Sequence, residues 1–342
     1  MAIDLTGGLD GSREHVFAQR PDNPEMRDSV SMWISDDRGE LGIPRVGIEA
    51  VASAWETHSL QLNVAFPDGR VYRVRDSAKA LSPLDDDGLP AILGAGPLAF
   101  RCVEPFRTWT ATFCGTAVRT STKALIAGHR DETREEVEFR VTATMAAPPW
   151  IQGSLLAEAA ERLESSVEGD LMGGPRYEQL FRARGTLRVG AEEHAFTGTG
   201  LRIRRQGVRK LGEFWGHCWQ SALFPSGRGF GYIAYPPRTD GKDTYNEGYV
   251  FNGDGDLVPA RVVQAPWLRA LSPKGDDVTC VLETAGRTVT VRGETALSTF
   301  MIMPPDVGGG GLQLQQAIVR YSWDGEESVG MLERSTAAAS LS

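Results

Sequence analysis

The sequence predicts an all-β protein, an antiparallel sheet built most simply as a barrel or a sandwich. Short segments that alternate apolar and polar residues recur along the chain, turn signals rich in Gly, Pro and Asp separate them, and no long helices interleave. Each half of the 342 residues carries roughly eight such segments, about what a small closed barrel needs to leave room for one ligand. That length exceeds one ordinary core and implies about two domains.

Residues 1–28 are polar and broken by Gly and Pro, so they read as an extended arm. Residues 29–153 form the first expected barrel. Its strands run through Ser29–Asp36, Gly39–Trp55, Ser59–Phe66 and Val71–Asp76, and then through Ala99–Thr122 and Glu135–Ala146. Pro67-Asp68-Gly69-Arg70 between two alternating runs is the clearest hairpin signal of this half. Ser82–Gly96, rich in Asp, Pro and Gly, is a loop. In 154–175, Leu155, Leu156, Ala159, Leu163 and Val167 fall at helical spacing, and the segment reads as a helical connector. Residues 176–342 form the second expected barrel.

The densest group of functional side chains lies in Leu201–Phe251. It holds a basic run (Arg202, Arg204, Arg205, Arg209, Lys210), two of the eight tryptophans and one of the five histidines. Period two places His217, Trp219, Ser221 and Leu223 on one strand face and Cys218, Gln220, Ala222 and Phe224 on the other. On the next strand Phe230, Tyr232 and Ala234 oppose Ile233 and Tyr235. On the third, Glu247 stands in a row with Tyr245, Tyr249 and Phe251, where burial in a cavity would raise its proton affinity. Later strands turn at Gly253-Asp254-Gly255 and Ala285-Gly286-Arg287.

A formal net charge of -9 argues against a nucleic-acid surface. Cys102, Cys114, Cys218 and Cys280 lack CxxC spacing and read as reduced thiols packed as small hydrophobes. No apolar leader, glycosylation sequon or run of roughly 18 apolar residues is present, so the expected location is the cytoplasm. Gly308–Gly311 lacks the Lys and Ser/Thr of a phosphate loop and reads as a turn. Asn252–Asp256 resembles a calcium loop, but Leu257 and Val263 occupy the positions that need Gly and Glu.

The order of features resembles the carotenoid hydratase-like, or AttH-like, proteins, a group with kievitone hydratase and fungal Diels-Alder cyclases. The likeness rests on Gln179–Arg202 leading into Gly207-Val208-Arg209, then Gly216–Gln220, Tyr245–Ala260 and Arg320–Arg334. Arg27–Gly42 and His58–Val74 look like their N-terminal half. The resemblance implies two lipocalin-like β-barrels side by side with a short connecting helix, an apolar small-molecule ligand of isoprenoid, polyketide or steroid type, and no metal or organic cofactor. Its characterised members are hydratases or cyclases, lyase- or isomerase-type enzymes. Ile203–Lys210 stands where many relatives carry Asp-His-Ser-Trp-Gly-x-Arg-Asp, so proton transfer at those positions does not carry over.

For such chemistry Glu247 is the candidate acid, and the bland reading is a buried salt bridge to one of Arg202–Arg209. His217 is the candidate base or polariser, or a hydrogen-bonded core residue. Arg209 suits a ligand carboxylate or phosphate, or the anchoring of its turn. Trp215, Trp219, Tyr232, Tyr245, Tyr249 and Trp267 are candidate ligand platform and cation cage. The alternative function is a non-catalytic lipocalin-type carrier, and a third is a structural protein with filled barrels. A homodimer is an open expectation.

Overall fold

A computed structural model describes residues 3–129, 131–165, 169–170, 174–209, 215–238, 240–303 and 311–341. Gly308–Gly310 and Lys210 lie outside these, as does part of the segment read as the connector. The first sheet contains β1 (Met26–Asp36), β2 (Gly42–Val51), β3 (Thr57–Ala65), β4 (Arg70–Lys79), β5 (Ile92–Ala95) and β6 (Leu98–Glu104). It continues through β7 (Thr108–Ser121), helix α1 (Thr122–Ile126), β8 (Arg134–Met145), β9 (Trp150–Ile151), helix α2 (Ala157–Ser165), β10 (Arg176–Val189) and β11 (Glu192–Val208). Strand order is β4-β3-β2-β1-β11-β10-β8-β7-β6-β5, and β4 also pairs with β7. That last pairing brings the sheet round on itself, so eight strands form a continuous hydrogen-bonded circuit with β5 and β6 as an extension.

The second sheet is a closed barrel in sequential order: β12 (Gly216–Leu223), β13 (Gly229–Ala234), β14 (Asn246–Phe251), β15 (Val258–Gln264), β16 (Cys280–Thr284), β17 (Thr288–Ile302), β18 (Leu312–Trp323) and β19 (Glu326–Ala337). The all-β, two-barrel expectation holds. The Pro67–Arg70 turn closes the β3–β4 hairpin, with Gly69 at φ 89°, where a side chain would be strained.

Two strands pair outside the half of the chain to which the sequence assigns them. β10 and β11 belong to the first sheet, paired with β8 and β1, and the crossing into the second sheet falls between Val208 and Gly216. The alternation of a strand fixes which residues share a face but not which sheet it joins, so the composition shift at the helix marks no change of sheet. The arm also differs from a plain extended segment. A 3₁₀ turn at Gly11–Glu14 buries Glu14 completely. Its carboxylate accepts from Arg202 Nη1 at 2.8 Å, Trp109 Nε1 at 2.6 Å, the Phe106 N–H at 3.1 Å and the Tyr177 hydroxyl.

Each sheet has its own apolar core, one around Trp109, Phe113, Phe139 and Phe181, the other around Phe230, Tyr232, Tyr321 and Trp323. Two further clusters lie between the sheets: Trp33, Trp150, Leu180, Trp219, Tyr249 and Met331 in one, Val71, Leu297, Phe300 and Ile318 in the other. Buried cross-links join the sheets, among them Asn63 Nδ2 to Gln316 Oε1 at 2.8 Å and Thr199 Oγ1 to the Val329 carbonyl at 2.9 Å. All four cysteines are free thiols. No helix among the described residues is long and apolar enough to cross a membrane.

Candidate functional site

Period two sorts the basic run of β11 to opposite faces. Arg202 and Arg204 point into the first barrel, where Arg202 pairs with Glu14 and Arg204 with Asp28. Ile203 and Arg205 point the other way, toward the second barrel. There a cavity of about 390 Å³ opens between the two sheets rather than inside either barrel. The first sheet contributes Ser29, Arg45, Glu49, Arg176 and Arg205 to its walls, and the second contributes His217, Trp219, Ile233, Tyr235 and Glu333. Arg209, from the crossing segment, completes the rim.

The second-sheet wall is a hydrogen-bonded line. Register sets His217 opposite Ser335 and Trp219 opposite Glu333 across β12 and β19. His217 Nε2 lies 3.2 Å from Glu333 Oε1 and Nδ1 lies 2.7 Å from Ser335 Oγ. Glu333 also accepts from Arg45 Nη1 at 3.0 Å and Gln316 Nε2 at 2.6 Å. Burial pushes the Glu333 carboxyl up, but Arg45 and His217 outweigh it and hold the group well below its ordinary range. An ionised Glu333 can only accept, so Nε2 carries the proton. In the neutral ring Nδ1 then accepts, and the Ser335 hydroxyl donates to it.

The first-sheet wall is cationic. Arg176 donates to Glu178 at 2.5 Å and lies 4.7 Å over the Trp219 ring, while Trp219 Nε1 donates to Glu178 at 3.0 Å. Burial raises the Glu178 carboxyl, with Arg176 pulling against it. Trp33 meets Trp219 edge-on at 4.7 Å and receives Arg45 at 5.0 Å over its face.

His217, Trp219 and Arg209 are thus brought together at one cavity. Trp215 stands behind it, 5.4 Å from the Tyr235 ring and 5.1 Å beneath Arg238. Glu247 is not among the cavity-lining residues. It is fully buried at the entry to α2, accepting from Trp150 Nε1 (2.9 Å), the Gly153 N–H (2.6 Å), the Leu155 and Leu156 N–H groups (2.9 and 3.0 Å) and the Tyr245 hydroxyl (2.9 Å). Those donors, rather than an arginine among the described residues, satisfy its two oxygens. The aromatic row around it is packed core: Tyr249 meets Trp150 edge-on at 5.6 Å, and Tyr245 and Phe251 join the same cluster. Tyr232 faces the interior of the second barrel, against Cys218 at 3.2 Å and Gln220 at 3.1 Å, and Trp267 packs on that barrel's core.

Sequence reasoning missed Arg45, Arg176, Glu333 and Ser335. Period two puts Glu333 and Ser335 on one face of β19, but only the β12–β19 register places that face beside His217. Arg205 was visible as one member of a basic run, and period two sets it on the face opposite Arg202 and Arg204, but nothing in the sequence says which face meets the cavity.

Fold and site together define a double-barrel β protein with a polar, small-molecule-sized cavity at the junction of its two sheets. Residues 12–338 match the family described as Domain of unknown function (DUF7064), and the chain belongs to that family. No curated protein matches it. Among solved structures it is similar to a protein assigned as an AttH from Nitrosomonas europaea, at 13% identity and TM-score 0.57, over 93% of this chain and 98% of that one. It is also similar to CghA solved with Sch210972, at 12% identity and TM-score 0.51, over 92% of this chain and 89% of that one. Kievitone hydratase from Nectria haematococca superposes at TM-score 0.49 with 10% identity, over 98% of this chain and 96% of that one. At such identities the likeness is one of fold, and at that level the resemblance to AttH-like proteins holds.

Proposed function

We propose that the protein is an enzyme of the lyase or isomerase type acting on a small molecule held in the inter-sheet cavity, with proton transfer by His217 and Glu333. The observation that carries this reading is the Ser335–His217–Glu333 line opening on that cavity. Ionised Glu333 fixes the ring tautomer by holding the proton on Nε2, and it stabilises the imidazolium that forms when Nδ1 takes up a proton. That imidazolium then returns a proton to the bound molecule, which leaves the neutral ring as it began. Trp219 and Tyr235 supply aromatic surface beside it, which suits a substrate that develops positive charge. CghA, solved with the small molecule Sch210972, supports a ligand on this fold. Glu247 has no part in the chemistry on this reading.

Native mass spectrometry with extraction, on protein purified from its own source, identifies the occupant. Incubating that compound with the protein in D₂O should then produce a new species or deuterium uptake. His217→Gln and Glu333→Gln should each slow it about a hundredfold or more, the scale of lost acid–base catalysis. A bound compound that is recovered unchanged would instead establish a carrier.

A further inference from the structure

Register places Arg176 directly opposite Arg205 on neighbouring strands β10 and β11, and Ser29 on the other flank of Arg205. All three residues line the cavity. Like charges directly opposite on one face of a sheet are destabilising, and burial deepens the cost. Elsewhere in this wall the structure offsets such costs: Arg176 has Glu178 and Arg45 has Glu333. Arg205 is only 8% exposed, its side chain donates no hydrogen bond to any described residue, and its Nε is buried without a partner.

We infer that Arg205 is the anchor for the carboxylate of a small-molecule ligand, the substrate class of the inter-sheet cavity. Glu49 of the same wall acts on Arg205 electrostatically but is not hydrogen-bonded to it, and the planar fork of the guanidinium matches a carboxylate in two parallel hydrogen bonds. The apolar remainder of the ligand then lies on Ile203, Ile233 and Trp219, which line the same space. Burial, followed by the cations Arg209 and Arg176, pushes the Arg205 guanidinium well down from its ordinary range, the electrostatic strain that a bound anion relieves. This identity of the ligand rests on the cavity being the working site.

Isothermal titration of the wild-type protein with decanoate and 2-naphthoate, beside 2-naphthalenemethanol and inorganic phosphate, tests the inference without any turnover. At least one carboxylate should bind, the alcohol should bind at least about tenfold more weakly, and Arg205→Gln should weaken the carboxylate roughly thirtyfold, the scale of a charge-assisted hydrogen bond. Removing an unpaired buried charge should also raise the melting temperature of the ligand-free protein, the opposite of removing a structural arginine. Failure of both carboxylates to bind, equal affinity for the alcohol, equal or tighter binding of inorganic phosphate, or a lowered melting temperature in Arg205→Gln would each overturn it. A protein that binds carboxylates through Arg205 yet converts no ligand keeps this inference and removes the proposed chemistry.

Discussion

Exchanging Glu247 for glutamine would turn one of its two acceptor oxygens into a donor. Oε2 accepts three hydrogen bonds and Oε1 two, so either amide orientation sets an NH₂ against at least two N–H or O–H groups. The expected cost is about 3 kcal/mol of stability, from buried donors left unmatched. Urea unfolding would show it as a lower midpoint at unchanged slope, while the affinity for a cavity ligand stays as in wild type. Lost ligand affinity with unchanged stability would reverse the assignment. The desolvation of Glu247 was legible in its aromatic neighbours, because a carboxylate in such a row is bound to be buried. Its occupation was not, since four of its five donors come from residues 91 to 97 positions earlier in the chain.

At the scale of elements, alternation told most of the story and register the rest. The two faces of β12 were drawn correctly from period two: Cys218 and Ala222 belong to the barrel core, while Trp219 and Leu223 meet the first sheet. In β11 the same alternation separates Arg202 and Arg204, paired with Glu14 and Asp28, from Arg205, which forms no ion pair with a described residue and feels Glu49 only at a distance. Nothing local distinguishes the two environments, because both depend on strands far away in sequence. The contact between the sheets is equally hidden. Gly42 of β2 sits so close to β18 that an added Cβ would lie 2.5 Å from Ile318 Cγ1 and 3.2 Å from Leu297 Cδ1. Gly42→Val should therefore cost roughly 1–3 kcal/mol through overpacking, read as a lower thermal midpoint. An unchanged midpoint would mean that the two sheets can separate freely at this corner.

Across the whole molecule, two buried carboxylates tie together parts that the backbone leaves apart. Glu14 pins the N-terminal arm into the first barrel, and Glu333 links the second barrel to Arg45 of the first. Burial opposes ionisation of both, yet Arg202 and Tyr177 for Glu14, and Arg45 and His217 for Glu333, hold them below the ordinary carboxylate value of 4.5. A carboxyl group whose folded value is depressed binds its proton more readily in the unfolded chain. Its stabilisation is therefore complete above that ordinary value and is lost as pH falls through the range between it and the folded value. The wild-type urea midpoint should accordingly decline as pH is lowered below 4.5. Glu14→Gln and Glu333→Gln should each be less stable than wild type at neutral pH and decline less steeply, so that their curves approach the wild-type curve in acid. Curves that instead run parallel to wild type at every pH would show that neither carboxylate is linked to folding, and that the arm and the second barrel are held by their other contacts.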